Sequence, residues 1–395
     1  MNTDLTALCR RLLHNVQHDQ TDLGEAVHRE AASHFLDAER HQREREQFFL
    51  QTPQVVGFAG ELAEPNSYKA VTILERPVLI TRDDDGVLRA FINACQHRGA
   101  QIAQGEGCKE ALSCPFHGWT YGLDGKLVGR RQEHAFISTD RNNRIDSKEE
   151  IGLTALPISD KSGLLTVGAT PNVTQAQVDT FLDDISSELS GFDFTAMRSL
   201  ATRRFEVKAN WKLVVNLSNE GYHFENLHRD SLVPMMSSHG VVDYCGQHSR
   251  WAFALKSILE LAELDEAQWP EHFPGSVNHT LFPGTVVVAT PQSAQIIRSE
   301  PGPTPGQSVV HFSGVYQSHS YQSKNDASND AKWRDAFTSA FEFGESIFVG
   351  EDLVAAEQCQ RGIEAGGLRD VISGRNEPLV SFWQKLWNER LDSKG

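Results

Sequence analysis

Two short matched segments constrain this chain more than anything else in it: Cys95-Gln96-His97-Arg98-Gly99 and Cys114-Pro115-Phe116-His117-Gly118, with sixteen residues between His97 and Cys114. Each offers one thiolate and one imidazole, at C-x-H and C-x-x-H, and each carries a glycine that lets backbone donors come close to a bound sulfur. Both follow a stretch of alternating apolar and polar residues, so each is expected as a tight loop at a strand end. VTILERPVLITR and VLRAFINA flank a turn at Asp85-Gly86, and TYGLDGKLVG repeats the pattern around Asp124-Gly125. Short strands and tight turns over residues 40–168 predict a small all-β sandwich or barrel.

Zinc accepts two Cys and two His and is the leading alternative occupant. Zinc-finger spacing, however, keeps the two cysteines together and the two histidines together. Interleaved halves match a Rieske [2Fe–2S] centre, with Cys95 and Cys114 on one iron and His97 and His117 on the other. A chance pairing of buried Cys and His is the remaining reading. Respiratory-type Rieske proteins have an extra cysteine in each loop; Ala100 and Phe116 stand there here, so no disulfide bridges these loops. Cys108 reads as a spare buried thiol.

At 395 residues the chain has room for two or three domains. Residues 1–39 have helical spacing and are expected to pack on the larger domain; the following HQREREQ reads as a solvated helix face. From 169 onward the period turns helical, with a Thr174–Gln177 capping box and Val178, Phe181, Leu182, Ile185 and Leu189 on one face. TRRFEVK, 281–290 and 307–317 read as strands, NWKLVVNLSNEGYH and most of 331–361 as helix. Residues 169–395 therefore form an α+β domain, an antiparallel sheet flanked by helices. A net charge of −16 argues against nucleic acid and anionic membranes as partners. With no apolar run near membrane-spanning length and no signal-peptide pattern around Asp4, a cytoplasmic location is expected.

The second half holds Asn219-Glu220-Gly221-Tyr222-His223-Phe224-Glu225-Asn226-Leu227-His228. On one helix His223 and His228 would lie about 140° apart. Convergence on one metal therefore needs a distorted turn or helix end, which Gly221 and Asn226 permit. Two imidazoles and a distant carboxylate would make a 2-His-1-carboxylate site, with positions open for dioxygen and substrate. Alone, such a histidine pair is more often surface or core packing. A one-electron relay in the same chain favours iron, because activating dioxygen there needs electrons one at a time.

With both constellations present, the chain resembles the large (α) subunits of Rieske non-haem iron oxygenases, the ring-hydroxylating oxygenase family, from about Phe35 to the C-terminus. The resemblance implies that Glu220 bridges His223 to His117 of a neighbouring subunit's Rieske domain. Electrons from NAD(P)H would arrive through a separate reductase, directly or by way of a ferredoxin. The family's late E-D-x-x-x-x-E-x-x-Q-R-G segment matches Glu351-Asp352-LVAA-Glu357-Gln358-Cys359-Gln360-Arg361-Gly362, so Asp352 is expected as the third Fe(II) ligand and Glu351 as the alternative. Read without the family, Glu351 and Asp352 look like a charged helix N-terminus. Asn216 falls where many relatives have an Asn close to the iron. A homotrimer is implied, with a small β subunit in some relatives.

The expected reaction is mono- or dioxygenation of a small organic, aromatic substrate, consistent with aromatic hydrocarbon catabolism. The alternative is monooxygenation or N-demethylation of an alkylamine or quaternary amine. A more distant one is an electron carrier without oxygenase activity. By family analogy the pocket comes from residues 230–320, with Met235, Met236, Phe253, Leu255, Phe273 and Phe282 as candidate walls. Arg250 is either a carboxylate holder or, more simply, a salt-bridge partner.

Overall fold

The computed structural model describes residues 3–136, 151–270, 273–318 and 327–393. It divides into two compact units, 49–181 and 1–48 with 182–395. The sequence places the divisions at 40 and 168; residues 137–150 of the expected 40–168 domain lie outside the described residues.

The 49–181 unit is built from antiparallel sheets. The largest has five strands, in the order Ala155–Leu156, Leu88–Ile92, Arg76–Arg82, Ser67–Ile73, Glu106–Cys108. Its hairpin turns where the sequence places it: Gly86 takes φ +78°, and the Asp83 carboxylate accepts the Val87 N–H at 2.7 Å. A three-stranded sheet, Ala111–Ser113, Thr120–Gly122 and Leu127–Gly129, turns at Gly125 with φ +83°. Leu79, Phe91, Leu112, Trp119 and Tyr121 make a core that includes Cys95 and Cys114. Cys108, expected to be buried, is exposed on an edge strand.

In the other unit a seven-stranded antiparallel sheet has strands β1 (Met197–Val207), β2 (Met236–Cys245), β3 (His248–Leu255), β4 (Gly275–Leu281), β5 (Thr285–Ala289), β6 (Ser293–Pro301) and β7 (Ser308–Gln317). Their order is β1-β7-β6-β5-β4-β3-β2. Val207, Val286, Ile297 and Phe312 from the sheet pack with Leu213, Val214, Phe341 and Leu353 from helices Trp211–Leu217, Ala327–Ile347 and Leu353–Glu364. The expected helix after Thr174 has its capping box, but it breaks into Gln175–Thr180, Asp183–Ile185 and Ser186–Leu189. Ser186 and Ser190 hydroxyls bond backbone carbonyls three residues back, a competing arrangement that favours turns over long helix.

HQREREQ is not a solvated face. His41 and Glu44 are buried, and Glu44 accepts both Lys212 Nζ, at 2.7 and 2.8 Å, and Trp211 Nε1, at 2.9 Å. Burial alone would raise the Glu44 carboxyl, but Lys212 and Arg40 outweigh it and hold it below its ordinary value. Removing one partner strands the other charge. Glu44→Ala is expected to cost about 3–5 kcal/mol of unfolding free energy. Glu44→Leu combined with Lys212→Met should lose much less, as denaturant midpoints would show.

Candidate metal centres

The two Cys/His loops fold alike. Gly99 N–H donates to Cys95 O at 2.7 Å, and Gly118 N–H donates to Cys114 O at 2.9 Å. Both glycines have positive φ, +78° and +73°, which closes each loop at little steric cost. His97 Nδ1 and His117 Nδ1 come to 3.2 Å of each other, and the His97 ring stacks on Trp119 with centroids 5.0 Å apart. Cys95 and Cys114 are buried free thiols. The Tyr121 hydroxyl accepts the Gln96 N–H at 3.0 Å and sits 3.4 Å from Cys95 Sγ. Burial and the Cys95 contact push its phenol up, so it stays protonated and can donate to the sulfur. Desolvation, with His117 and Arg98 nearby, holds the His97 imidazole below its ordinary value. Two convergent ring nitrogens and two buried thiols in one core fit a [2Fe–2S] cluster of Rieske type.

The second constellation is held by helix ends. Helix Trp211–Leu217 stops, Ser218–Tyr222 are irregular, and one helical turn, Phe224–Leu227, follows with His223 and His228 at its two caps. That break does what a continuous helix could not: His223 Nε2 and His228 Nε2 lie 3.1 Å apart. Asp352 Oδ1 lies 3.5 Å from the first and 3.3 Å from the second. Asp352 does not begin a helix. It closes a wide π turn, Phe348–Asp352, between helices Ala327–Ile347 and Leu353–Glu364, a feature often found at functional sites.

Behind each imidazole stands another carboxylate. Glu220 bonds His223 Nδ1 and accepts the His223 N–H at 3.1 Å. Glu351 accepts His228 Nδ1 at 2.7 Å and the Ser231 hydroxyl at 2.9 Å. Such partners fix ring orientation and leave the two Nε2 atoms facing Asp352. Burial lowers the His223 imidazole, but Asp352 and Glu220 outweigh it and raise it to about 9. Burial would raise the Asp352 carboxyl; the two histidines hold it down instead. Ligand types, convergence and burial fit a mononuclear iron. The position of Glu351 behind His228 was not evident from sequence, where it stood only as a rival to Asp352. Asn216 lies on helix Trp211–Leu217 with its Oδ1 buried and unpaired, and is not among the described residues lining the adjacent cavity.

That cavity, of about 140 Å³, is lined by His223, His228 and Asp352 and by the rings of Phe224, Trp251, Phe253, Phe312 and Phe348. Of the expected wall residues only Phe253 is among the lining residues. Phe282 instead packs against Phe48 and Trp383, and Met235, Met236, Leu255 and Phe273 lie elsewhere. Alternation along β3 explains Arg250: with Trp251 and Phe253 turned to the cavity, its neighbour points to the other face. There Arg250 pairs with Asp243 at 2.6 Å and with Glu188, so it holds no substrate carboxylate.

Residues 194–393 match the model of the ring hydroxylating alpha subunit (catalytic domain), and residues 52–141 match that of the Rieske [2Fe-2S] domain. The carnitine monooxygenase oxygenase subunit of Acinetobacter baumannii is 26% identical over 369 residues, 89% of this chain and 92% of that one. Among solved structures, the quaternary ammonium Rieske monooxygenase CntA with L-carnitine superimposes with TM-score 0.72 at 21% identity, covering 96% of this chain and 97% of that one. Naphthalene 1,2-dioxygenase from Rhodococcus sp. superimposes with TM-score 0.68 at 18% identity, covering 98% of each chain. The shared fold thus spans substrates as different as a betaine and a fused aromatic ring.

Proposed function

Because this chain belongs to the family of ring hydroxylating alpha subunits, with a Rieske [2Fe-2S] domain preceding the catalytic domain, we propose that it is the oxygenase component of a monooxygenase acting on a small alkylamine or quaternary ammonium compound. The Rieske cluster supplies single electrons, and the mononuclear iron activates dioxygen. In this reading Cys95, His97, Cys114 and His117 hold the cluster, and His223, His228 and Asp352 hold the iron. Glu220 keeps the proton of His223 at Nδ1 and, from an open concavity beside the exposed Tyr222, meets His117 of the partner subunit. That crossing calls for an oligomer, which we take as a cytoplasmic homotrimer fed by a separate reductase directly or through a ferredoxin. Among the described residues no helix is long and apolar enough to cross a membrane.

The observation that carries the substrate class is the similarity to the relative named for carnitine, and the cavity wall is compatible with it. Phe224, Trp251 and Phe253 are packed together, with centroids 4.6–5.7 Å apart, beside the buried Asp352. Ring faces attract a cation, and apart from the iron held by His223, His228 and Asp352 no lysine or arginine opposes one among the described lining residues. The same rings would hold an aromatic substrate. The relative named for carnitine, similar over nearly its whole length, favours the ammonium reading over the aromatic one. The reaction is then hydroxylation of a carbon attached to nitrogen. One C–H, dioxygen, two electrons from the reductase and two protons give C–OH and water. The carbinol then breaks its C–N bond, releasing an amine, a carbonyl compound and a proton.

The test uses iron-loaded enzyme, reductase, NADH and labelled dioxygen with trimethylammonium substrates. Amine and aldehyde released in equal amounts are expected. A product retaining two labelled oxygens would establish dioxygenation instead.

A further inference from the structure

Trp251, Asn278, Val288 and Gln295 are register partners on four successive strands, β3 to β6, and all four line the cavity. The iron ligands belong to the Trp251 end: the Phe224 ring lies 5.7 Å from that of Trp251, and 5.1 and 5.2 Å from those of His223 and His228. Gln295 is at the other end, three strands away, about 14 Å at the usual strand spacing. Helix geometry agrees. Gly344, beside Gln295, precedes Asp352 by two turns and more of helix, roughly 12 Å along the rod.

The Gln295 amide itself, and not only its stem, is at the wall. Its Nε2 and Oε1 lie nearest to the point where a Gly344 side chain would begin, at 3.6 and 4.0 Å, and Gly344 also lines the cavity. The residue is half-buried, its amide atoms are not among the sealed-off polar atoms, and no group among the described residues hydrogen-bonds them. Between this amide and the rings the lining includes the apolar Val288, Ile297, Phe312 and Ile347.

An amide both donates and accepts, so it can take a hydroxyl or a carboxylate. The iron competes for a carboxylate, but Asp352, Glu220 and Glu351 stand around its ligands, and these three negative charges leave the dication no net attraction for a further anion. Distance then sets the arm. Side chains stand roughly perpendicular to a sheet, so the gap from ring to amide follows the strand spacing. With about 4 Å of contact at the ring and about 3 Å for the hydrogen bond, about 7 Å separates nitrogen from tail oxygen. An extended arm of about four carbons spans that, and the shorter arm of choline does not.

We infer that Gln295 is a specificity-determining residue, whose amide binds a hydroxyl or carboxylate oxygen carried about four carbons from the ammonium nitrogen. This rests on the ammonium reading above.

The experiment is anaerobic calorimetric titration of the iron-loaded holoenzyme with four probes: butyltrimethylammonium, its 4-hydroxybutyl analogue, 4-(trimethylammonio)butanoate and choline. The hydroxybutyl compound is expected to bind about fivefold more tightly than the butyl one, the size of one partly exposed hydrogen bond, and more tightly than choline. In Gln295→Leu that advantage should vanish, with butyltrimethylammonium and choline staying within about twofold of their wild-type affinity; a merely structural role would weaken all of them alike. Gln295→Glu keeps an acceptor and adds a charge, so it should retain the hydroxybutyl compound and lose the butanoate by tenfold or more. Should the variants fail to fold, the wild-type ranking alone decides. Equal binding of the butyl and hydroxybutyl compounds overturns this inference and leaves the ammonium reading standing. So does a butanoate affinity unmoved by Gln295→Glu, the result expected if its carboxylate sits on the iron. No binding by any of the four overturns both.

Discussion

Asp352→Ala is expected to abolish turnover while the visible spectrum of the [2Fe–2S] cluster is unchanged. The site has three groups whose ligand atoms lie within 4.8 Å of one another, and the variant removes the only anion among them. The remaining pair, His223 and His228, keep their Nε2 atoms 3.1 Å apart but offer a dication only neutral donors. Losing an outer partner of a metal ligand costs about 10–100-fold in affinity or activity, and losing the ligand itself should exceed the upper end of that range. Iron and acid-labile sulfide analysis reads the result directly. The wild type, loaded with ferrous iron, should hold about three irons to two sulfides, and Asp352→Ala about two to two. Full turnover in the variant would move the ligand role to Glu351, which lies one residue away but now faces His228 Nδ1 and Ser231.

Glu220→Gln separates two jobs that Asp352→Ala cannot. The amide keeps the size of the side chain and can still accept the His223 N–H, so both metals should be retained. It lacks the negative charge that holds the His223 imidazole in place through Nδ1. Pre-reduced enzyme mixed with substrate and dioxygen should then reoxidise its cluster about 10–100-fold more slowly than the wild type. Equally fast reoxidation would remove Glu220 from the electron path. Retained iron distinguishes that result from simple damage to the site.

How much of this could be read from the sequence depends on how local the determinant is. The cluster loops were legible because every part lies within a few residues: a strand, a cysteine, a histidine and a glycine able to take positive φ. His223 and His228 were legible as a pair but not as a shape, since periodicity describes helices and these two work from the ends of one turn. The Glu44–Lys212 pair was misread because its members are far apart in sequence, and a run of charges looks solvated until its partner is known. The cavity wall failed for another reason: which apolar residue reaches the metal is decided by sheet register, and Trp251 and Asn278 meet only because β3 and β4 pair as they do.

The π turn at Phe348–Asp352 has a consequence for rotational phase. Each extra residue in a helical turn rotates everything after it by about 100° relative to an uninterrupted α-helix. Before the turn Phe341 packs into the core and Phe348 opens the turn there; after it, Leu353, Ala356 and Ile363 pack into the same core. An uninterrupted helix with an apolar stripe would keep one face inward and turn its acidic residues away. The phase slip lets one long rod dock along its length and yet present Asp352 and Glu351 inward where it slips. Metal geometry is thereby uncoupled from how the rod is anchored on either side.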